Sequence, residues 1–252
     1  MRPNAHCEDS NIPSSITPNI NDENVIQWIR ELDPDVIFCF GWSRLIGEPL
    51  LSVPKLGVVG FHPAALPANR GRHPLIWALV LGLKETASTF FFMDEGADSG
   101  DILSQVKVFI DDADDAGTLY SKVTDIAIQQ IDHFLPKLAA GAVCRIPQDA
   151  RVANTWRKRG PLDGRIDWRM STQAIHNLVR GLTKPYVGAH FDHEDQSIKV
   201  WKTSIEASCP ANLEPGKVLK VDSLGVVVKT GDCAIRLLNY EPKIPLCAGS
   251  YL

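Results

Sequence analysis

Hydrophobic and polar residues follow two rhythms along this chain. Residues 1–20 are polar and rich in Pro, Ser and Asn, and read as loop. In "NDENVIQWIREL" Val25, Trp28, Ile29 and Leu32 recur at helical spacing, with Asn21 or Asp22 placed to cap the start and Pro34 to stop it. "DVIFCF" and "LGVVGF" are short continuous apolar runs, as in strands buried on both faces. Between them "GWSRLIGEPLLSVP" reads as a loop with a short helix. Pro74 suits a first helical turn, and "LIWALVL" follows it up to Gly82. "TASTFFFM" reads as a strand, "DEGADSGD" as an acidic loop and "ILSQVKVFI" as a further strand. Leu119, Val123, Ala127, Ile131, Phe134 and Leu138 then share one helical face, closed by Gly141.

Strands alternating with helices predict a doubly wound, mostly parallel α/β sheet. Ligands of such sheets bind beyond the carboxyl ends of the strands, which singles out the loops at 41–46, 60–73 and 94–101. After about residue 150 the rhythm changes. "ANTWRKRGPLDGRIDW" is polar and basic, and one helix follows in "STQAIHNLVRGL". The short runs "SIKVWKTSI", "GKVLKV", "GVVVKT" and "CAIRLL" then predict a small, mainly β domain of the OB-barrel type. The expected division is a catalytic domain over 1–148, a linker over 149–170, and a helix with β domain over 171–252.

The composition, 44% apolar and 22% charged over 252 residues, is that of an ordinary globular chain with a sizeable core. A net charge of -4 argues against a protein whose main partner is a nucleic acid backbone, although a local basic patch remains compatible with it. No apolar run reaches the roughly 18 residues of a membrane helix, and the N-terminus lacks the apolar centre of a secretory signal. The six cysteines, at 7, 39, 144, 209, 233 and 247, form no CxxC pair and no cluster with ligand spacing. They read as reduced thiols of a cytoplasmic protein, with no metal site and no membrane partner.

Candidate chemistry gathers at the strand ends. His62 closes "LGVVGF" and Asp98 sits in the loop after "TASTFFFM", so both can reach one cleft. An imidazole beside a carboxylate can take and return a proton near neutral pH, which suits acyl transfer to an amine. A packed histidine and a turn-capping aspartate would give the same spacing. No GxSxG, GxGxxG or P-loop occurs. Arg70 and Arg72 precede the helix at Pro74 and could hold an anion, or be surface arginines of a solvated turn. Trp156, Arg157, Lys158 and Arg159 combine a ring with charge and would suit a phosphorylated, ring-bearing substrate, or a linker packed on the first domain.

"PDVIFCFGWSRLI", "LGVVGFHPAALPANRGRHPLIWAL" and "MDEGADSGDIL" resemble, in order and spacing, the motifs of the folate-dependent formyltransferases. The resemblance runs from about residue 30 to 240. It implies an Asn-x-His…Asp catalytic set in which His62 and Asp98 match the histidine and aspartate. It also implies N10-formyltetrahydrofolate as co-substrate, held by Phe40, Gly41, Trp42, Leu45 and Ile46 together with Glu95, Gly96 and Ala97. Where the family carries the asparagine this chain has Gly60. That asparagine would donate to the formyl oxygen, and losing one such donor costs about 10²–10³ in rate, unless His62, a backbone N–H or water replaces it. The family opens with a further strand, helix and strand, so the resemblance predicts a sheet lacking its first strands and exposing an edge.

"WRKRGPLDGRIDW", "IHNLVRGLTKPYVGAHF" and "IKVWKTS" are similar to formyltransferases of nucleotide-linked amino sugars. The implied acceptor is such a small molecule, with Arg70, Arg72, Trp156 and Arg159 as the contacts to test. Methionyl-tRNA is the second candidate, and a non-catalytic formyltransferase-like module is the third. A homodimer is compatible with all three.

Overall fold

The structure, a computed structural model, describes residues 7, 9–42 and 44–252. Helix α1 (Glu23–Glu31) starts at Asp22, whose side chain accepts the Asn24 N–H, as the sequence predicts. It leads into strand β1 (Ile37–Cys39), the short helix α2 (Glu48–Leu51) and strand β2 (Val58–His62). Two residues, Arg70–Gly71 (β3), precede helix α3 (Pro74–Val80). Strands β4 (Glu85–Phe92) and β5 (Ile102–Phe109) and the long helix α4 (Ala116–Ala139) complete this part of the chain.

The main sheet has the order β1-β2-β4-β5. Adjacent residues of β2 face opposite layers. Val58 packs with Ile26, Ile46 and Leu50 beneath α1 and α2, whereas Val59 packs with Phe90, Phe92, Phe134 and Leu138 beneath α4. Helices therefore cover both faces, as expected of a doubly wound sheet. The expectation of a mostly parallel sheet needs correction in detail. Only β1 and β2 are parallel; β2–β4 and β4–β5 run antiparallel. The physical reason for the last pair is legible in the connection. A parallel crossover needs about a dozen residues or more, usually with a helix, and only residues 93–101 join β4 to β5. Among the described residues β1 forms one edge of the sheet, its Ile37, Phe38 and Cys39 only half-buried.

The second unit holds helix α5 (Thr172–Leu182) and an antiparallel sheet of order β7-β8-β11-β10-β9. Its strands are β7 (Ala189–His193), β8 (Gln196–Ile205), β9 (Val218–Asp222), β10 (Gly225–Lys229) and β11 (Ala234–Glu241). Ile175, Leu178, Phe191, Ile198, Val200, Ile235 and Leu237 form its core, and Ile76 of α3 joins them. Five strands match the OB type, although among the described residues no ladder joins β7 to β9. Strand β7 escapes the sequence pattern because "AHFDH" carries only one large apolar residue, Phe191.

The stretch between the units is not a free linker. Strand β6 (Thr155–Trp156) pairs in parallel with β3. Arg70 N–H donates to the Asn154 carbonyl and Arg72 N–H to the Trp156 carbonyl, at 3.0 and 3.1 Å. The basic segment is thereby stitched to the loop that follows His62.

Candidate active site

His62 ends β2 opposite Thr89 of β4, so the sheet itself sets its position. The ring is 5% exposed. Its Nε2 lies 2.8 Å from the carbonyl oxygen of Asn69, and its Nδ1 lies 3.6 Å from Asp98 Oδ2. A carbonyl oxygen only accepts, so Nε2 carries the proton it donates. In the neutral ring Nδ1 is then an acceptor facing a carboxylate oxygen. An imidazole held this way beside a carboxylate is an arrangement that can take up and return a proton.

The backbone around the pair is held at several points. Thr89 Oγ1 donates to the Ala64 carbonyl at 2.7 Å and Gln105 Nε2 to the Leu66 carbonyl at 2.9 Å, fixing the loop after His62. Asp98 adopts φ 55°, a conformation uncommon for a side-chain-bearing residue. The Gly71 N–H donates to its Oδ2 at 2.8 Å. The Asp98 carbonyl accepts from Gln148 Nε2 at 2.9 Å, and Gly100 accepts from the same nitrogen at 2.7 Å. Arg70 completes this chain of contacts: its Nε and Nη2 donate to Gln148 Oε1 at 3.1 and 2.7 Å.

Gly71 is required at its position. Its φ is 97°, and a Cβ there would stand 2.3 Å from the Trp156 carbonyl oxygen. Gly60 is packed in a different way. A Cβ there would meet Phe91 Cζ at 2.9 Å and Met93 Cγ at 3.0 Å, so those side chains occupy the space a residue-60 side chain would need.

Of the residues expected at a folate pocket, Phe40 is half exposed, with its ring 5.7–6.4 Å from those of Phe38, Phe61 and Phe90. Gly41 has φ 68°. Trp42 borders a cavity of about 150 Å³ with Thr17, Pro18 and Arg44. Leu45 is exposed, but Ile46 is buried in the core with Ile26 and Leu50, where its side chain serves packing. Glu95, Gly96 and Ala97 are exposed in the turn before Asp98. That turn is closed by Asp94, which accepts from Gly96 N–H and Ser99 Oγ.

The expected acceptor contacts divide. Arg70 is engaged by Gln148, beside Asp98. Arg72 is half-buried at the end of β3. Trp156 is half-buried against the cluster of Leu75, Leu79 and Leu119, a packing role rather than an open stacking platform. Arg159 is buried, with its guanidinium 4.5 Å from the centroid of the Trp77 ring. The sequence reading missed Gln148, Asn69 and Asn154. Asn154 Oδ1 accepts the Asn69 N–H at 2.7 Å across 85 positions of sequence, and no local pattern announces such a contact. Among the described residues no cluster of three or more His, Cys, Asp or Glu is arranged to hold a metal ion, and no helix is long and apolar enough to cross a membrane.

Residues 3–133 match the formyl transferase family and residues 160–250 the formyl transferase C-terminal domain. The chain is 34% identical over 229 residues to the bifunctional polymyxin resistance protein ArnA of Wigglesworthia glossinidia brevipalpis, covering 91% of this chain but only 35% of that protein. It is 32% identical over 247 residues to the methionyl-tRNA formyltransferase of Geobacter metallireducens, covering 97% of this chain and 78% of that enzyme. A crystal structure of the N-formyltransferase of Helicobacter canadensis, in complex with folinic acid and dTDP-3-aminofucose, superposes with a TM-score of 0.68. It covers 93% of this chain and 81% of that one at 16% identity, a likeness of fold. With both domain families matched in order, this chain belongs to the formyltransferase family of one-carbon transferases.

Proposed function

We propose that this chain transfers the formyl group of N10-formyltetrahydrofolate to the amine of a nucleotide-activated amino sugar. The observation that carries the catalytic part is the 3.6 Å approach of His62 Nδ1 to Asp98 Oδ2, with Nε2 engaged at the Asn69 carbonyl. As the acceptor nitrogen bonds to the formyl carbon, the carbonyl electrons move onto oxygen and the nitrogen must shed a proton. The His62–Asp98 pair takes it up and closes its own hydrogen bond. When the tetrahedral intermediate collapses, the bond to N10 breaks and the same proton returns to that nitrogen. Gly71 N–H and the Arg70–Gln148 chain hold Asp98 in place for both transfers. Phe40, Trp42 and Leu45, exposed beside β2, are the side chains we assign to folate contact.

The acceptor assignment is supported by the state of the basic segment. Arg151 pairs with Asp149, Arg157 with Asp163, Arg165 with Asp192 and Arg169 with Asp167. Most of the charge that would meet a tRNA backbone is thus neutralised within the protein, and the whole chain is net acidic. Methionyl-tRNA stays as a second acceptor because the Geobacter relative is named for it and aligns over most of its length. With this reading go a division into 1–148, 149–170 and 171–252 and a cytoplasmic setting with free thiols.

The test is a formyl-transfer assay with N10-formyltetrahydrofolate and either dTDP- or UDP-linked amino sugars or methionyl-tRNA. Transfer to an amino-sugar nucleotide, lost in His62→Ala, is the expected result. Transfer to methionyl-tRNA alone moves the acceptor assignment to tRNA. Transfer to neither by a folded protein that binds 5-formyltetrahydrofolate sinks the catalytic reading and leaves a binding module.

A further inference from the structure

A cavity of about 540 Å³ opens where the start of α3, the turn at 160–164 and the β7–β8 pair meet. None of the residues lining it contacts His62 or Asp98 in the network described above. Its volume lies in the range of small-molecule sites. Ile76, Leu182 and Tyr186 make its walls largely apolar. Against them stand Arg159, Lys199 and two histidines, His73 and His190, whose burial disfavours their charged form, and among the described residues no Asp or Glu lines the space.

Two of these groups lack the partner that burial demands. Arg159 is 9% exposed, yet among the described residues no carboxylate comes within ion-pairing distance of it. Its guanidinium donates to the Asp163 carbonyl and lies over Trp77, but the Asp163 carboxylate is taken by Arg157 and by the Gly160 N–H. A buried charge without a counter-charge is costly unless something supplies one. Burial pushes the Arg159 pKa down; the Asp163 carboxylate opposes the shift at longer range and Arg157 adds to it. In the same cavity, His73 Nδ1 is buried with no hydrogen-bond partner among the described residues. His190 and Lys199, cross-strand neighbours of β7 and β8, line the same cavity. An anion would satisfy Arg159 and His73 together, and a flat apolar body would fill the remaining walls.

We infer that this cavity binds a phosphorylated nucleoside, with phosphate oxygens on Arg159, His73 and Lys199 and the base against Ile76, Leu182 and Tyr186. Phosphate fits better than a single carboxylate because several donors line the same cavity, and guanidinium matches its oxygens bidentately. The recognition is the same from two sources. The nucleotide can be the activated end of the acceptor, in which case the inference rests on the reading above, or a separate effector.

The experiment is calorimetric titration of the full chain with UDP, uridine and inorganic diphosphate, and in parallel with 5-formyltetrahydrofolate. UDP is expected to bind, with uridine at least about 10-fold weaker because the charged contacts are lost. Arg159→Gln should weaken UDP by roughly 10–100-fold. Lys199→Gln, on a strand rather than in the packed turn, should weaken it several-fold and decides the matter if Arg159→Gln does not melt cooperatively. The inference is overturned if UDP gives no binding to a folded protein that binds folate, or if both folded variants keep wild-type affinity. UDP binding without folate binding would leave the cavity assignment standing and remove the formyl-transfer reading instead. UDP that competes with an amino-sugar nucleotide in the transfer assay identifies the acceptor's own nucleotide. UDP that binds without raising the acceptor KM identifies an effector.

Discussion

Phe91 lies directly across the β2–β4 ladder from Gly60, and its ring fills the space that a side chain on residue 60 would occupy. The family's asparagine position is therefore not an empty slot. It is packed by a ring that is itself 2% exposed and sits with Leu66 and Ile102 in a small core cluster. Gly60→Asn is expected to lower stability by about 1–3 kcal/mol through overpacking, and not to raise formyl transfer. Gly60→Asn combined with Phe91→Leu should recover part of the melting temperature lost by Gly60→Asn. A thermal-melt double-mutant cycle reads this directly. If the missing donor limits the rate, only the double variant gains turnover. A Gly60→Asn protein as stable as wild type would show that Phe91 yields freely.

Gly71 joins two jobs at one backbone position. Its N–H holds Asp98, and its missing Cβ lets β3 approach β6. Gly71→Ala should cost about 1–3 kcal/mol from the strained backbone alone. It should also lower transfer at least about tenfold, because the Cβ pressed against the Trp156 carbonyl displaces the backbone N–H that anchors Asp98. Denaturant unfolding and a steady-state assay on the same preparation check both; normal activity in a destabilised protein would remove Gly71 from the site.

Gln148 holds Asp98 through its backbone carbonyl, and Arg70 holds Gln148. Gln148→Met keeps the volume but removes the donor to the Asp98 and Gly100 carbonyls. The expected loss is about 1–3 kcal/mol of stability, accompanied by a lower kcat and a shifted pH profile of transfer. Loss of folded protein would lower the rate without moving that profile, so an unchanged profile would reduce Gln148 to a structural role.

Hydrogen bonds from Arg157, then from the Gly160 N–H, hold the Asp163 carboxyl well below the usual carboxylate range. A carboxyl lowered by folding contributes stability above its unfolded pKa of 3.8, and that contribution fades as pH falls toward its folded value. The melting temperature of the wild type should therefore decline on acidification below about pH 4 more steeply than that of Asp163→Asn. Parallel slopes would mean that the Arg157–Asp163 clamp adds nothing to the turn at 160–164.

Much of this molecule was legible in one dimension. The apolar runs of β1, β2, β4 and β5 and the periodic faces of α1, α4 and α5 announce themselves, because burial of a strand or a helix stripe is a local pattern. His62 and Asp98 were legible for the same reason: each stands at the end of such a run, where a sheet presents its loops. Even the antiparallel turn between β4 and β5 had a signal in the shortness of residues 93–101, which leave no room for a crossover. What the sequence could not contain is who meets whom at long range. Phe91 filling the space beside Gly60, Gln148 gripping Asp98, and Asn154 fixing Asn69 all depend on strand register and on chain segments 31 to 85 residues apart. The bareness of Arg159 depends on tertiary structure as well. Its charge is plain in "WRKRG", but only the packing around Trp77 takes it out of water while Arg157 claims the nearest carboxylate.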